Sequence, residues 1–369
     1  RNRYEVASAI ADPHAILVRS ADMHAMAISD SVMAVARAGA GTNNVPVAAL
    51  TQRGIPVFNS PGANANAVKE LVVAGLFLGA RNIVQAWDFA RALSGDDKAI
   101  DEATEKGKKD YAGFELPGRT LGVIGLGAIG VEVANVAERL GMRVIGFDPQ
   151  ITVQRAWQLS STIEQAVSLE DLFARSQFIS VHVPLADGTR GLVSAGRLAL
   201  MPKNGVLLNF SRAPIVDEGA VLAALDSGHL HAYVCDFPKN AFKGHRKVIA
   251  LPHLGASTGE AEENCAVMAA DTLRDYLENG NIRHSVNFPD AHLPRLAGTA
   301  RIAVANSNVP NMVGQMSTLL AGAGINISEL LNKSRGEVAY TLIDVEGAVD
   351  AALLGRIRAI DGVLSARVI

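Results

Sequence analysis

The sequence predicts an α/β protein, a doubly wound parallel sheet followed by a separate C-terminal βαββαβ unit of ferredoxin-like order. Three observations lead there. Short apolar runs recur with helical stretches between them. One of these runs, Thr120–Ile124, leads straight into Gly125-Leu-Gly-Ala-Ile-Gly130 and then a helix. Beyond a proline-containing linker, residues 299 to 369 read strand, helix, strand, strand, helix, strand. Composition agrees: 49% of the 369 residues are apolar, only 5% are aromatic, and 34 are glycine. Layers of helix on parallel strand use such small and β-branched residues at close approach.

In order along the chain, Ala15–Arg19 and Ile55–Phe58 are short buried-strand patterns. Between them, Ser31 to Ala38 is helix-compatible and runs into the turn Gly39–Asn44. A long helix is predicted from Asn66 to about Leu93, and the mixed-charge stretch Ser94 to Asp110 is a solvated helix or loop. Val131 to Leu140 is helical, and Arg143–Phe147 is a strand ending at Asp148. Further strands are Phe178–Val183, Gly205–Asn209, Ala232–Cys235 and Val248–Leu251, with helices at Leu169–Ser176 and Glu218–Ser227. Ser257-Thr-Gly-Glu260 has the form of a capping box, opening a helix that stops at Gly280. Arg283 to Gly298, with Pro289 and Pro294, is a linker.

Lys and Arg number 34 against 37 Asp and Glu, a net charge of −3, without the basic excess of a nucleic-acid partner. The two cysteines, Cys235 and Cys265, form neither a disulfide framework nor a metal-ligand spacing, so no metal is expected and a reducing cytoplasm is the natural compartment. The apolar run Leu71–Ala80 is too short to cross a membrane and reads as a buried helix. The N-terminus lacks the order of a signal peptide, and because it begins at Arg1 further leading residues are expected before it.

The glycine turn carries the clearest chemistry. Gly125 permits a tight turn, Gly127 lets the backbone approach a pyrophosphate, and Gly130 permits close packing of helix on strand. The helix N-terminus supplies N–H donors and positive dipole. Asp148, eighteen residues after Gly130, is placed to accept from both ribose hydroxyls and to repel a 2′-phosphate, which favours NAD over NADP. After two other strands stand Phe210-Ser-Arg212 and Pro252-His-Leu-Gly-Ala-Ser-Thr258. An arginine there holds a carboxylate bidentately, and a histidine takes a hydroxyl proton as hydride leaves the same carbon. Arg212 and His253 are therefore the candidate catalytic pair, whereas His182 and His229 read as structural.

With these residues in view, the chain resembles the NAD-dependent D-2-hydroxyacid dehydrogenases that carry a C-terminal ACT domain. The resemblance rests on Ile16–Ser20, Arg37–Gly41 with Asn43–Val45, Phe58–Pro61, Gly122–Gly127, His182–Leu185, Asn209–Arg212 with Ile215–Glu218, and Pro252–Thr258. It implies a Rossmann-type nucleotide domain, residues 82–257, inserted into a flavodoxin-like substrate domain made from 1–81 and 258–285, whose first strand would lie upstream. A linker, 286–298, and an ACT-like domain, 299–369, follow. It adds Ala128, Ile129, Val183, Pro184, Phe210, Ser211, Asp236, Gly255 and Ala256 to the NAD-binding set, with Arg212 and His253 touching the cofactor as well. Arg19, Ser20, Arg37, Ala38 and Gly39 match substrate-binding positions.

The implied activity is oxidation of a phosphorylated 2-hydroxy acid, 3-phospho-D-glycerate, at the entry to L-serine synthesis, by a cytoplasmic homodimer or homotetramer. Alternatives are another dehydrogenase of the family, such as a hydroxypyruvate or glyoxylate reductase, and a non-catalytic NAD-sensing binder. Family members back the histidine with a glutamate three residues after the phenylalanine of an Asp-x-Phe segment. Here that position is Asn240, and counting five from Asp236 reaches Ala241. Lys106, Lys108 and Lys109 read as a solvated face. In the tail, Asn308 and Asn326 match serine-binding positions, while Asn306 stands where a histidine is often found.

Overall fold

A computed structural model describes residues 4–369 as two compact units, one of residues up to Ala63 together with Glu262–Ile369, the other Asn64–Ala261. The second is built on a parallel sheet of β4 (Thr120–Ile124), β5 (Arg143–Phe147), β6 (Glu164–Gln165), β7 (Phe178–Val181), β8 (Gly205–Asn209), β9 (Leu230–Cys235) and β10 (Val248–Ala250). Their order is β10-β9-β8-β7-β4-β5-β6, so the direction of winding reverses between β4 and β7. Both faces are buried, which is why the strands read as continuous apolar runs. Leu208 and Val234 pack with the helices Ala65–Arg81 and Ala128–Arg139. Their neighbours Leu207 and Tyr233 pack with Leu172 of the helix Leu169–Arg175 and with Val221 and Leu225 of the helix Glu218–Asp226.

The first unit holds two sheets. One is parallel, in the order β1 (Ala15–Val18), β2 (Ala34–Arg37), β3 (Val57–Phe58). The other is antiparallel, β11 (Thr299–Ser307), β12 (Ile327–Arg335), β13 (Val338–Glu346) and β14 (Val363–Val368), ordered β12-β13-β11-β14. The helices Met312–Gly322 and Ala351–Arg358 complete the βαββαβ unit. Ile302, Val304, Ile343 and Val345 face these helices. The alternate residues Ala303, Ala305, Tyr340 and Leu342 pack with Ala269, Leu273 and Tyr276 of the long helix Gly259–Asn279. Both faces of the central strands β11 and β13 are thus covered, whereas the edge strand β12 is largely exposed.

The tail is fastened through Arg301, which is 0% exposed. Its Nε and Nη2 donate to the two carboxylate oxygens of Asp344, directly opposite on β13, both at 2.6 Å. Nη1 donates to Asn279 O (3.0 Å) and Leu293 O (2.8 Å), and Nη2 also to Pro294 O (2.9 Å).

Three local expectations change. Residues 34–37 form a strand, not part of a helix: Ala34, Val35 and Ala36 are completely buried between β1 and β3, and that pairing overrides the helix preference of alanine. The helix expected from Asn66 to Leu93 is two, Ala65–Arg81 and Ile83–Ala92, because Asn82 adopts φ +50°. Thr258, not Ser257, caps the long helix, its Oγ1 accepting from Ala261 N–H at 3.1 Å, so Glu260 is one residue out of register for the capping box. The stretch after Ser94 forms the helix Asp97–Gly107 and a short 3₁₀ turn, on which Lys106, Lys108 and Lys109 are exposed.

Removing one partner of a buried ion pair leaves the other charge uncompensated, at a cost of about 3–5 kcal/mol. Asp344→Ala is therefore expected to lower the urea midpoint of the full chain and to raise amide exchange across residues 299–369, with Asn64–Ala261 nearly unchanged. Protection in the tail equal to that of the parent chain would contradict this account.

Candidate active site

The winding reversal places the β4 turn at the carboxyl end of the sheet, where open α/β sheets receive ligands. Gly125 sits at φ +89°, and Gly130 approaches so closely that an added Cβ would lie 1.9 Å from Gly125 O. Gly127 caps the helix Ala128–Arg139 without a side-chain hydrogen bond or an acid in the first turn, and an added Cβ there meets nothing within 4 Å. The first turn, with Ala128 and Ile129, thus presents open N–H donors to open space. Asp148, after β5, accepts from Leu126 N–H at 2.8 Å through Oδ2 and from Gln150 N–H at 2.9 Å through Oδ1. These bonds fix its carboxylate against the glycine turn.

The loop after β7 is tied to the loop after β8, and the loop after β9 to the loop after β10. Asn209, 0% exposed, accepts from Ser211 N–H (3.1 Å) and donates to Arg212 O (3.0 Å). Ser211 Oγ donates to Val183 O, next to Pro184. Phe210 is buried between them in sequence, while Arg212 is exposed in extended backbone, its Nη1 donating to Ser211 O at 2.7 Å. His253 is held by its own N–H, which donates to Asp236 O (3.0 Å) and Leu251 O (3.2 Å). It adopts φ +35°, unusual for a non-glycine residue, and its ring meets Phe237 edge-on at 5.3 Å. Asp236 is 1% exposed; Oδ2 accepts from Gly255 N–H at 3.2 Å, beside Ala256, and among the described residues buried Oδ1 has no partner. Burial pushes the Asp236 carboxyl above its ordinary value, opposed by the Gly255 N–H and by the positive charges of His253 and Arg212.

Among the described residues no carboxylate is hydrogen-bonded to the His253 ring. Asn240 is exposed on the turn Asn240–Phe242, and Ala241 follows it. His182 is half-buried, its desolvation pushes it down to about 3, and its Nε2 meets Ser180 Oγ at 2.8 Å. His229 Nε2 meets Leu198 O at 2.9 Å.

In the other unit, Arg19 and exposed Ser20 follow β1, and Arg37 ends β2. Arg37 Nε donates to Arg19 O at 3.0 Å, and its guanidinium lies across Gly39. Buried Ala38 donates to Val18 O at 2.8 Å. Arg19 Nη2 pairs with Glu262 Oε1 at 2.7 Å. In the tail, Asn308 N–H donates to Glu337 O, whereas Asn326 O accepts from Glu346 N–H. These are opposite ends of β13, so one copy of the chain does not bring the two asparagines together. Asn306 is buried and donates to Ser307 O.

Residues 83–255 match the family described as "D-isomer specific 2-hydroxyacid dehydrogenase, NAD binding domain". The D-3-phosphoglycerate dehydrogenase of Haemophilus influenzae is 32% identical over 381 residues, covering 99% of this chain and 88% of the relative. The chain belongs to the D-isomer specific 2-hydroxyacid dehydrogenase family. Among solved structures, the NAD+-bound 3-phosphoglycerate dehydrogenase of Entamoeba histolytica is similar with TM-score 0.57 and 28% identity, covering 75% of this chain and 83% of that one. A glyoxylate reductase from Paecilomyes thermophila is similar with TM-score 0.59 and 27% identity, covering 70% and 76%.

The dehydrogenase's residues fit NAD. The uncapped helix end and the space over Gly127 suit a pyrophosphate, and the orphaned Asp236 Oδ1 is an acceptor awaiting a donor. Asn209 and the Arg19–Glu262 pair were not singled out by sequence reasoning. A polar residue ending the apolar run Val206–Leu208 was a signal for the first, whereas a pair 243 residues apart left none.

The raised value of Asp236 carries a stability consequence. Folding favours its protonated form, so the associated stability is present below the ordinary carboxyl value of 3.8 and is lost as pH rises through the raised one. Asp236→Asn keeps an acceptor for Gly255 N–H without the buried charge. Its thermal midpoint at pH 7 is expected to exceed the parent's, with the difference vanishing in acid, while NAD affinity changes.

Proposed function

We propose that this chain oxidises 3-phospho-D-glycerate to 3-phosphohydroxypyruvate with NAD, the entry step of L-serine synthesis, as a cytoplasmic homodimer or homotetramer. The observation that carries this reading is the convergence of Arg212, His253 and buried Asp236 on the carboxyl ends of β8, β9 and β10, in the unit that holds the open glycine turn. The relative from Haemophilus influenzae, which spans the tail, supports the phosphorylated substrate over glyoxylate.

In this mechanism Arg212 and backbone N–H groups hold the substrate carboxylate. His253 takes the C2 hydroxyl proton while the C2–H bond breaks and its electron pair leaves as hydride, so that C2=O forms. NAD, when bound, supplies the hydride acceptor. Asp148 accepts from the ribose, and Arg19, Ser20 and the Arg37–Gly39 loop receive the phosphate end. The imidazolium forms without a glutamate partner, a feature that favours, as a second reading, an NAD-sensing binder with little turnover.

One assay separates these readings. Reduced nicotinamide absorbance is followed with 3-phospho-D-glycerate, D-glycerate and glycolate, each with NAD and NADP. Turnover is expected with the phosphorylated acid and NAD; absence of turnover with every acid would leave only the binder. His253→Ala is expected to lose about 10²–10⁴-fold in kcat, Arg212→Ala to lower kcat and raise KM, and Asp148→Ala to weaken NAD far more than NADP.

The tail reads as an ACT-like effector module for L-serine, with Asn308 of one copy and Asn326 of another completing each site. Calorimetry on the full chain is expected to show serine binding that Asn308→Ala abolishes. No heat with millimolar serine would reduce the tail to a structural module.

A further inference from the structure

Arg19 has a pinned backbone and a head group held, among the described residues, by a single carboxylate. Its carbonyl accepts from Arg37 Nε at 3.0 Å and Asn44 Nδ2 at 3.3 Å, which fixes where the side chain begins. Its guanidinium donates to Glu262 Oε1 at 2.7 Å, on the first turns of the long helix. Three residues on, the Cys265 thiol, pushed up by burial, is pulled back by the charges of both Arg19 and Arg37. Two guanidiniums therefore bear on this stretch of helix, and Glu262 is the carboxylate paired with Arg19.

We propose that Glu262 is a specificity-determining residue that competes with the anionic end of the substrate for Arg19. This rests on the reading, given above, that Arg19 receives the substrate phosphate. With no phosphate bound, the guanidinium stays on Glu262; an arriving phosphate dianion, with twice the charge and three acceptor oxygens, replaces the carboxylate. The side chains are 43% and 54% exposed, so the pair is weak and its displacement lowers affinity only modestly, by about two- to fivefold. A substrate that brings no anion to Arg19 leaves the pair intact and is unaffected. Glu262 thus sets how strongly the site prefers phosphorylated over unphosphorylated acids, and it eases release of the phosphorylated product.

The test is Glu262→Gln, which keeps the side-chain shape and removes the charge, measured on the full chain with NAD. KM for 3-phospho-D-glycerate and Ki for inorganic phosphate are both expected to fall about two- to fivefold, with the change in KM rather than kcat and with KM for D-glycerate unmoved. A rise in KM for the phosphorylated acid would overturn the proposal and make Glu262 a support for Arg19. An equal fall for both acids would overturn it as well. Arg19→Ala separates the underlying reading: if it leaves KM for the phosphorylated acid unchanged, Arg19 does not receive phosphate and both fail together. If it raises KM, adding Glu262→Gln to it is expected to change nothing further, and a full additive effect would overturn the competition alone.

Discussion

A buried guanidinium is tolerable only when each of its N–H groups finds an acceptor. Arg301 meets that condition completely. Its five donors are divided between the Asp344 carboxylate, the last residue of the long helix and two carbonyls of the following segment. The tail sheet, the helix and residues 293–294 are thereby held in one arrangement. The apolar contact of Ala303, Ala305 and Leu342 with that helix supplies much of the area removed from water, but apolar contact alone is indifferent to register. The charged node specifies which arrangement forms, since any slip would leave a buried charge without partners.

The nucleotide unit shows the opposite use of polar groups. Asp236 keeps an acceptor buried and unpaired, and His253 holds a backbone conformation that few residues adopt. Both lower the stability of the unit, and both stand at the ends of strands that pack mainly through apolar side chains. Asn209 shows how the surrounding loops stay ordered despite this, because one buried amide holds the turn on which Arg212 stands. The histidine ring, by contrast, leans on the Phe237 ring, and among the described residues no acid is hydrogen-bonded to it.

Much of this was legible in the sequence because the signals were local. The glycine turn, Asp148 and the βαββαβ order of the tail depend on spacing along the chain, and the tail elements follow that order. Residues 34–37 were illegible for a tertiary reason: Ala-Val-Ala suits a helix, and only the flanking strands make it a central one. The break at Asn82 was hidden because a single left-handed residue leaves the apolar pattern on either side intact. The glutamate missing at Asn240 could be read from the sequence, whereas the engagement of Glu262 by Arg19 could not, since no local rule joins residues so far apart.

The long helix ends in carbonyls that the tail satisfies. Arg367 donates to Tyr276 O and Leu277 O, Arg301 to Asn279 O, and the Tyr340 hydroxyl to Gly280 O. A helix normally finds such partners in its own next few residues or in water; here they arrive from 22 to 91 residues downstream. During synthesis, Asn64–Ala261 is continuous and emerges with everything its sheet requires. The other unit has no such continuity, because its first strands pack with a helix whose end is finished by Arg367. The helix that backs the first strands is thus finished by side chains far along the chain from them.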